Sequence, residues 1–237
     1  MNDVCSDAIF TGSYETAERR FVERFLKEGM TVLDIGAHHG FYTILAAKKV
    51  GPSGRVIAFE PSPRERRRLL RHLKLNRCTN VKVEPLALAS KEGETTLFLV
   101  DGRDTGCNSL RPPAVSEPTK EITVSTMALD SYLEKEGIYR VDFIKMDVEG
   151  AELEVLKGAK RFLERTPRPV ILCEVDDYRT RAWGYPARAI IKLLEDYGYQ
   201  WFGLSDEGGL VPLDQRDSYN LVAIPKEEVA GLLIQFS

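Results

Sequence analysis

The sequence predicts an α/β fold in which a mostly parallel sheet carries helices on both faces. Short apolar runs that are typical of buried strands alternate along the chain with segments of helical periodicity. Acidic residues lie at the carboxyl ends of four of these runs, at Asp34, Glu60, Asp147 and Glu174. Ligands bind beyond the carboxyl ends of parallel strands, and a charge in a core is costly unless it is paired. We therefore interpret the four acids as parts of a binding site.

Composition limits the classes of protein to which the chain can belong. Its 237 residues suffice for one large α/β domain, and a net charge of −3 gives no global basic field for nucleic acid. The four cysteines are widely spaced without a zinc pattern, and no apolar run approaches the length of a membrane span. We expect a cytoplasmic protein with free thiols, no nucleic-acid partner and no membrane contact.

A strand, a glycine turn, a helix and a second strand follow one another in residues 31–60. The strands are predicted at Thr31–Ile35 and Arg55–Phe59, with a helix over about residues 40–50. A dinucleotide fingerprint needs a glycine where this chain has His38, because only a glycine lets the backbone approach a pyrophosphate. The turn therefore disfavours a pyrophosphate ligand.

The acids of this unit favour a cationic nucleoside ligand such as S-adenosylmethionine, which has no phosphate. Asp34 can pair with its ammonium group, while the helix N-terminus can take its carboxylate. Glu60 suits the two ribose hydroxyls, since a carboxylate offers two acceptors to a vicinal diol. The alternative is that both acids merely cap a βαβ turn in another Rossmann-like protein.

The rest of the chain continues the alternation. We expect residues 1–13 to be irregular and a helix to follow over about residues 14–27. Ser62, Pro63 and Glu65 predict a helix start with a capping box, and Leu69, Leu70 and Leu73 are predicted to form the apolar face of that helix. A hairpin over residues 94–100 and 121–125 would flank a long loop, 101–120, of a length typical of functional lids or of disordered segments. Further strands are predicted at 80–84, 141–146, 169–175, 199–204 and 219–224, and further helices at 128–136, 151–163 and 186–197.

Three blocks of this sequence resemble the FkbM family of S-adenosylmethionine-dependent methyltransferases. They are residues 32–43 (VLDIGAHHGFYT), 58–61 (AFEP) and 142–152 (DFIKMDVEGAE), of which the last is the most specific. The resemblance implies a Rossmann-like, doubly wound, seven-stranded sheet whose last strand is antiparallel. It also implies methyl transfer, usually to oxygen. We assign residues 29–237 to the class I methyltransferase domain and residues 1–28 to an N-terminal segment that is a candidate lid.

The predicted cofactor is S-adenosyl-L-methionine, with S-adenosyl-L-homocysteine as product. The resemblance places Asp34, Gly36, Glu60 and the segment around Ala87 in the cofactor site. The family often has asparagine where this chain has His38. The full predicted cofactor set is Asp34, Gly36, Ala37, His38, His39, Phe41, Tyr42, Glu60, Pro61, Ser62, Ala87 and Asp147.

Methyl transfer to a hydroxyl needs an aligned nucleophile and a group that removes its proton. Asp147 is the first candidate, with Glu149 and Glu152 as others, although acids in the first turn of a helix also complement its dipole. His38 is a further candidate base. Asp147 and Glu174, with Asp176 or Asp177, could supply oxygens to a divalent metal, but no metal is predicted.

Two other classes of function remain open at this point. One is an NAD-dependent oxidoreductase, which the missing middle glycine disfavours; the other is a non-catalytic nucleotide-binding module. For a methyltransferase, the predicted acceptor is a hydroxyl of a small molecule or glycan. The sequence indicates neither the acceptor's identity nor the oligomeric state.

Overall fold

The computed structural model describes residues 4–215 and 219–236. Its main sheet has eight strands in the order β10-β9-β11-β8-β7-β1-β2-β3, and a second sheet has the order β4-β6-β5. The strands are β1 (Thr31–Ile35), β2 (Arg55–Phe59), β3 (Val81–Glu84), β4 (Ala87–Leu88), β5 (Gly93–Val100), β6 (Thr119–Met127), β7 (Phe143–Met146), β8 (Val170–Glu174), β9 (Tyr199–Leu204), β10 (Leu210–Val211) and β11 (Asn220–Pro225). The helices are α1 (Val4–Thr11), α2 (Thr16–Phe25), α3 (Phe41–Val50), α4 (Pro63–Leu75), α5 (Leu129–Lys135), α6 (Glu152–Lys157), α7 (Lys160–Leu163), α8 (Asp177–Thr180), α9 (Arg188–Asp196) and α10 (Val229–Phe236).

The topology of the main sheet confirms the predicted doubly wound fold. Strand β1 pairs in parallel with β2 and with β7, and β7 pairs in parallel with β8. The last strand, β11, is antiparallel to both β8 and β9, as predicted. The predicted count of seven strands is wrong, because β10 adds an eighth at the edge beside β9. A strand of two residues is too short to produce a periodic signal in the sequence.

The central strands are apolar on both faces because helices cover both sides of the sheet. Leu33 and Ile35 of β1 belong to the core cluster beneath α5, α6 and α9, whereas Val32 belongs to the cluster beneath α2, α3 and α10. In β7, Ile144 faces the first cluster and Phe143 faces the second. Strands buried on both faces read as continuous apolar runs, which is why the sequence locates them well.

Helix α4 begins where its capping signal predicts, but only half of the capping box forms. The Ser62 hydroxyl accepts a hydrogen bond from the Glu65 N–H at 3.3 Å, while the Ser62 N–H donates to Glu60 Oε1 at 2.8 Å. The Glu65 side chain pairs with His39. Leu70, predicted on the apolar face of this helix, is 50% exposed.

Two other local predictions are wrong. The predicted irregular segment 1–13 contains α1, which an ion pair of 2.7 Å between Asp7 and Arg103 ties to the 101–120 loop; residues 1–3 lie outside the described chain. The predicted helix over residues 151–163 is divided into α6 and α7 near Gly158. A Cβ atom at Gly158 would lie 2.2 Å from the Ala89 carbonyl oxygen, so the chain packs too closely there for a side chain.

The predicted hairpin is present as β5 and β6, which pair antiparallel over the whole length of β5. The long loop between them folds back onto β5, where Phe98 and Ser109 form an isolated bridge. This contact brings residues 105–110 to the carboxyl ends of the main strands. Among the described helices, none has both the length and the apolar character needed to cross a membrane.

Candidate active site

Two cavities meet beyond the carboxyl ends of β1, β2 and β7. The first, which we call the Glu60 cavity, encloses about 580 Å³, including the part open to solvent. The second, which we call the acidic cavity, encloses about 1210 Å³ on the same basis. Five residues line both cavities, and they therefore mark the junction: Gly36, His38, Gly106, Asp147 and Glu149.

The structure brings most of the predicted site residues to these cavities. Besides the junction residues, Glu60, Pro61 and Ala87 line the Glu60 cavity. The acidic cavity is lined by five more members of the predicted set, Asp34, Ala37, His39, Phe41 and Tyr42. Two candidates, Ser62 and Glu152, line neither cavity.

Glu60 is held rigidly at the end of β2 by backbone donors. The N–H of His38 donates to its Oε2 at 2.7 Å, and the N–H of Ser62 donates to its Oε1 at 2.8 Å. Burial raises the pKa of Glu60 to about 8, against the lowering effect of these two hydrogen bonds. Each carboxylate oxygen retains a second lone pair, so Glu60 can still accept hydrogen bonds from a ligand diol.

The turn between β1 and α3 depends on backbone conformations that favour glycine. Gly36 has φ +86°, and a Cβ atom on it would lie 1.8 Å from the Asp147 carbonyl oxygen. His38 also has a positive φ, +48°, although it carries a side chain. The position of the middle glycine in a dinucleotide turn therefore keeps a left-handed backbone here, with an imidazole projecting from it.

The two histidines of the turn have different surroundings. The His38 Nε2 atom lies 3.1 Å from the Thr105 hydroxyl, and its ring stacks on that of His39 with centroids 3.7 Å apart. His39 is buried, and its Nε2 lies 2.5 Å from Glu65 Oε2. Although burial opposes it, the hydrogen bonds from His39 and Arg64 lower the pKa of Glu65 to about 2. His39 thus anchors α4 to the turn, whereas the ring of His38 faces both cavities.

Asp34 is a buried carboxyl at the end of β1 whose orientation is fixed by helix α3. The Thr43 hydroxyl donates a hydrogen bond to Asp34 Oδ2. Burial raises the pKa of Asp34 to about 6, while the Thr43 hydrogen bond and the positive charge of Lys145 oppose this rise. Asp34 and Lys145 are register partners on β1 and β7, so the acid and the cation lie side by side.

Lys145 is a buried cation that the sequence analysis did not assign to the site. Its Nζ lies 3.1 Å from Asp147 Oδ2 and 5.2 Å from the centroid of the Tyr42 ring. Burial alone would lower the pKa of Lys145, but the charges of Asp147 and Glu15 raise it. The ammonium group therefore stays charged and balances the carboxylates around it.

The N-terminal segment contributes to the wall of the acidic cavity. Ile9, Tyr14 and Glu15 line it, and the Tyr42 hydroxyl donates to Glu15 Oε2 at 2.6 Å. Burial raises the pKa of Glu15. Sequence reasoning missed Glu15, because it lies outside the recognised motifs and reaches the site only through the packing of α2 against α3.

The turn after β7 is held by the acid that follows it. Glu152 Oε1 accepts hydrogen bonds from the N–H groups of Val148 at 3.0 Å and Gly150 at 3.3 Å. The carbonyl of Glu149, a residue with φ +56°, accepts a hydrogen bond from the Ser109 hydroxyl at 2.9 Å. Glu152 is thus a structural residue of the first helical turn, while Glu149 faces the cavities.

Arg179 of α8 lies among the acids at the junction. Its Nε is 3.0 Å from Glu149 Oε2 and 3.9 Å from Glu174 Oε1. Burial and the charge of Asp147 raise the pKa of Glu149 to about 8 and that of Glu174 to about 10. Sequence reasoning missed Arg179, which lies on a four-residue helix outside the recognised motifs.

The acids considered for a metal do not all meet. Asp176 accepts a hydrogen bond from the Tyr178 N–H, and Asp177 accepts one from the Ala187 N–H. Neither lines the acidic cavity, whereas Asp147 and Glu174 do. Lys145 and Arg179 of the chain itself place positive charge beside these two acids.

The 101–120 loop forms one wall of the Glu60 cavity. It supplies the hydroxyl of Thr105, which faces His38, and it is fixed to β5 where the Val100 N–H donates to Asn108 Oδ1 at 2.8 Å. The polar Asn108-Ser109 pair in a proline-rich loop was the signal that could have located this wall. The loop residues lining the Glu60 cavity are Thr105, Gly106, Asn108, Ser109 and Leu110.

A family comparison agrees with this geometry. Residues 34–201, more than half of the chain, match the family described as the methyltransferase FkbM domain. This chain belongs to the FkbM family. The match confirms the predicted fold and the predicted membership of a family of methyltransferases.

The matches to individual relatives cover different shares of each protein. The chain is 27% identical over 143 residues to Methyltransferase 1 of Beauveria bassiana, covering 54% of this chain and 57% of that protein. It is 26% identical over 191 residues to the 2-O-methyltransferase NoeI of Sinorhizobium fredii, covering 76% of each. Its fold is similar to that of methyltransferase FkbM from Methylobacillus flagellatus, with a TM-score of 0.53 and 18% identity, covering 84% of this chain and 44% of that chain.

Replacing Ser62 by alanine separates capping from cofactor contact. The hydroxyl caps α4, and the backbone N–H that holds Glu60 is unchanged by the substitution. We expect the free energy of unfolding to fall by about 1 kcal/mol. We also expect the dissociation constant of S-adenosylhomocysteine to change less than about threefold, a difference below 1 kcal/mol. Denaturant unfolding and calorimetry measure the two, and a large loss of affinity would show that the hydroxyl touches the cofactor.

The raised pKa values of the site acids predict a pH-dependent stability of the cofactor-free FkbM domain. The pKa of Asp34 is raised to about 6 and that of Glu60 to about 8. A group whose pKa is raised on folding stabilises the protein below its unfolded pKa, and this stabilisation is lost as pH rises through the folded pKa. We expect the melting temperature to fall by a few degrees between about pH 4.5 and about pH 8, with the Asp34 part of the fall complete by about pH 6. Glu60→Gln should flatten this fall in thermal melts, and an unchanged slope would contradict the assignment.

Proposed function

We propose that this FkbM domain transfers a methyl group from S-adenosylmethionine to a hydroxyl of a small-molecule or glycan acceptor. The observation that carries the proposal is the junction of two unlike cavities at Asp147 and Glu149. One cavity offers a carboxyl and apolar walls, as a nucleoside requires. The other is rich in carboxyl groups, as a cationic ligand requires.

The residues present fit S-adenosylmethionine, which would supply an electrophilic methyl group on a sulfonium. Glu60 would accept hydrogen bonds from the ribose diol, and Leu88 and Leu97 would provide apolar surface for the base. In the acidic cavity, Asp34 would pair with the ammonium group of the amino-acid part. A pyrophosphate has no comparable partner here, because His38 occupies the place of the middle glycine.

The charges of the acidic cavity favour a neutral acceptor over an anionic one. Among the described residues, six carboxyl side chains line it against one lysine and one arginine. A phosphate or carboxylate of an acceptor would be repelled there, which supports the prediction that nucleic acid is not the acceptor. The relative named as a 2-O-methyltransferase supports oxygen as the accepting atom. The carboxyl groups are Glu15, Asp34, Asp104, Asp147, Glu149 and Glu174.

Roles within the site follow from these contacts. Asp147, which lines both cavities and is paired with Lys145, would accept a hydrogen bond from the acceptor hydroxyl and orient it. His38 faces Thr105 and would line the path of the ligands. The N-terminal segment 1–28 would act as a lid over the acidic cavity through Glu15. We also propose that the protein is cytoplasmic.

The two alternative classes have less support. An NAD-dependent oxidoreductase would need a pyrophosphate cradle in place of the His38 turn. A non-catalytic nucleotide-binding module would not need the acidic cavity beside the Glu60 cavity, which would hold the nucleoside.

Calorimetric titration with S-adenosylhomocysteine and, separately, with NADH tests the proposal. We expect binding of the first and none of the second; the reverse would refute it. Formation of S-adenosylhomocysteine would then be measured with neutral sugars and with the matched sugar phosphates as acceptors. Turnover on the neutral sugars is expected to exceed that on the phosphates, and a preference for phosphates would contradict the role of the cavity charge.

A further inference from the structure

Three carboxyl groups meet at the junction of the two cavities. Oxygen atoms of Asp147, Glu149 and Glu174 all lie within 4.8 Å of one another. Two cations face them: Lys145 Nζ lies 3.1 Å from Asp147 Oδ2, and Arg179 Nε lies 3.0 Å from Glu149 Oε2. Glu174 is only 3.9 Å from the same Arg179 atom, so it has no close ion pair of its own among the described residues.

One oxygen of Glu174 has no donor. Its Oε2 is buried and accepts no hydrogen bond from any residue of the described chain. An ionised oxygen in that position would be costly, whereas a protonated one carries its own hydrogen. Carboxyl groups this close together do not all ionise at once. Burial and the charges of Asp147 and Glu149 raise the pKa of Glu174 in the same direction.

The other titratable groups around this cluster do not remove that proton. Glu152 and Asp176 add negative charge, which favours protonation, and Arg179 opposes it. Cys107 of the loop lies beside Arg179, and burial raises the pKa of its thiol, so it stays neutral. The resting junction therefore holds at least one neutral carboxyl, shared by the Glu149–Glu174 pair, beside the two cations.

The cluster lies where the methyl donor would place its positive charge. The sulfonium of S-adenosylmethionine joins the nucleoside to the amino-acid part, so the residues that line both cavities would surround it. Asp147 and Glu149 are two of those residues, and Glu174 lies within 4.8 Å of them. A cation in this position stabilises ionised carboxylates and displaces the shared proton.

We propose that the Glu149–Glu174 pair releases its proton when the cationic methyl donor binds, and that Glu174 then accepts the proton of the acceptor hydroxyl. This inference rests on the proposed function. The hydroxyl oxygen forms the new bond to the methyl carbon, the electron pair of the broken carbon–sulfur bond stays on sulfur, and the hydroxyl proton passes to Glu174. The junction loses the sulfonium charge and regains one proton, so its net charge is the same before and after transfer.

Proton release on binding tests this inference without an acceptor. S-adenosylmethionine and S-adenosylhomocysteine are titrated separately into the full chain near neutral pH, in buffers of different ionisation enthalpy. The dependence of the measured heat on the buffer gives the number of protons released. We expect the sulfonium ligand to release about one proton more than the thioether. In Glu174→Gln this difference is expected to fall below about a third of a proton, because the glutamine side chain does not titrate.

Two further variants make the test specific. Glu149→Gln is expected to remove the same difference in proton release, because it leaves Glu174 alone with Arg179. This variant also serves as the test if Glu174→Gln does not fold. Asp101→Asn is the control: it removes an exposed carboxylate of the 101–120 loop, outside the cluster, and is expected to keep the difference in proton release. Equal proton release by both ligands in the natural chain, or a difference that persists in Glu174→Gln and Glu149→Gln, would overturn the inference. Failure of both ligands to bind the natural chain would instead refute the proposed function.

Discussion

Replacing Asp34 by alanine is expected to abolish measurable cofactor binding. We expect the dissociation constant of S-adenosylhomocysteine to rise at least about 100-fold, since loss of a buried partner of a cation costs several kcal/mol. The carboxyl lies at the end of β1, is buried, and is oriented by the Thr43 hydroxyl toward the acidic cavity. Titration calorimetry of the variant against the natural chain measures the effect.

Thr43→Val and Asp34→Asn are the matched controls for this prediction. The valine removes only the hydroxyl that orients Asp34, and we expect a loss of affinity of about tenfold, as for one charge-assisted hydrogen bond. The asparagine keeps the size of the side chain but removes its charge, so it should behave like the alanine. Undiminished affinity in both Asp34 variants would remove the carboxylate from the cofactor site.

Replacing Asp147 by asparagine is expected to cut turnover by at least about 100-fold. The dissociation constant of S-adenosylhomocysteine should change less than about threefold, because the Glu60 and Asp34 contacts remain. The substitution has a second effect, because the buried ammonium group of Lys145 loses the Asp147 carboxylate that lies 3.1 Å from it. We therefore expect the free energy of unfolding to fall by up to about 3 kcal/mol, measured by denaturant titration.

The double variant Lys145→Met with Asp147→Asn separates the two effects. It removes the unpaired charge together with the carboxylate, so stability should largely return while turnover stays low. Turnover is measured with the neutral sugar that the natural chain methylates best. Recovery of turnover in the double variant would show that Asp147 acts only through stability, and full activity of the single variant would exclude it from the mechanism.

The parts of the fold that the sequence predicts well are those that local physics determines. Strands β1 and β2 have the predicted bounds, because runs buried on both faces contrast sharply with the glycine turns beside them. The start of α4 is correct because Ser62 and Pro63 act within one turn. Strand β10 and the division between α6 and α7 depend on edge pairing and on a close approach at Gly158, which no local pattern encodes.

The candidate site, like the fold, has residues that the sequence predicts and residues whose place depends on three-dimensional packing. Asp34, Glu60 and Asp147 end strands, so their meeting follows from a parallel sheet. Glu15 and Arg179 reach the acidic cavity only through the packing of short helices, and the burial of Lys145 among acids appears only in three dimensions. The sequence predicts Ser62 and Glu152 near the ligand from their positions next to motif residues, but their side chains accept hydrogen bonds from backbone N–H groups.

The most direct test of this account is a crystal structure of the chain with bound S-adenosylhomocysteine. We predict the ribose diol on the Glu60 carboxylate, the amino group beside Asp34, and the sulfur at the junction beside Asp147 and Glu149. A ligand bound outside the two joined cavities, or a dinucleotide whose pyrophosphate crosses the turn at His38, would contradict it.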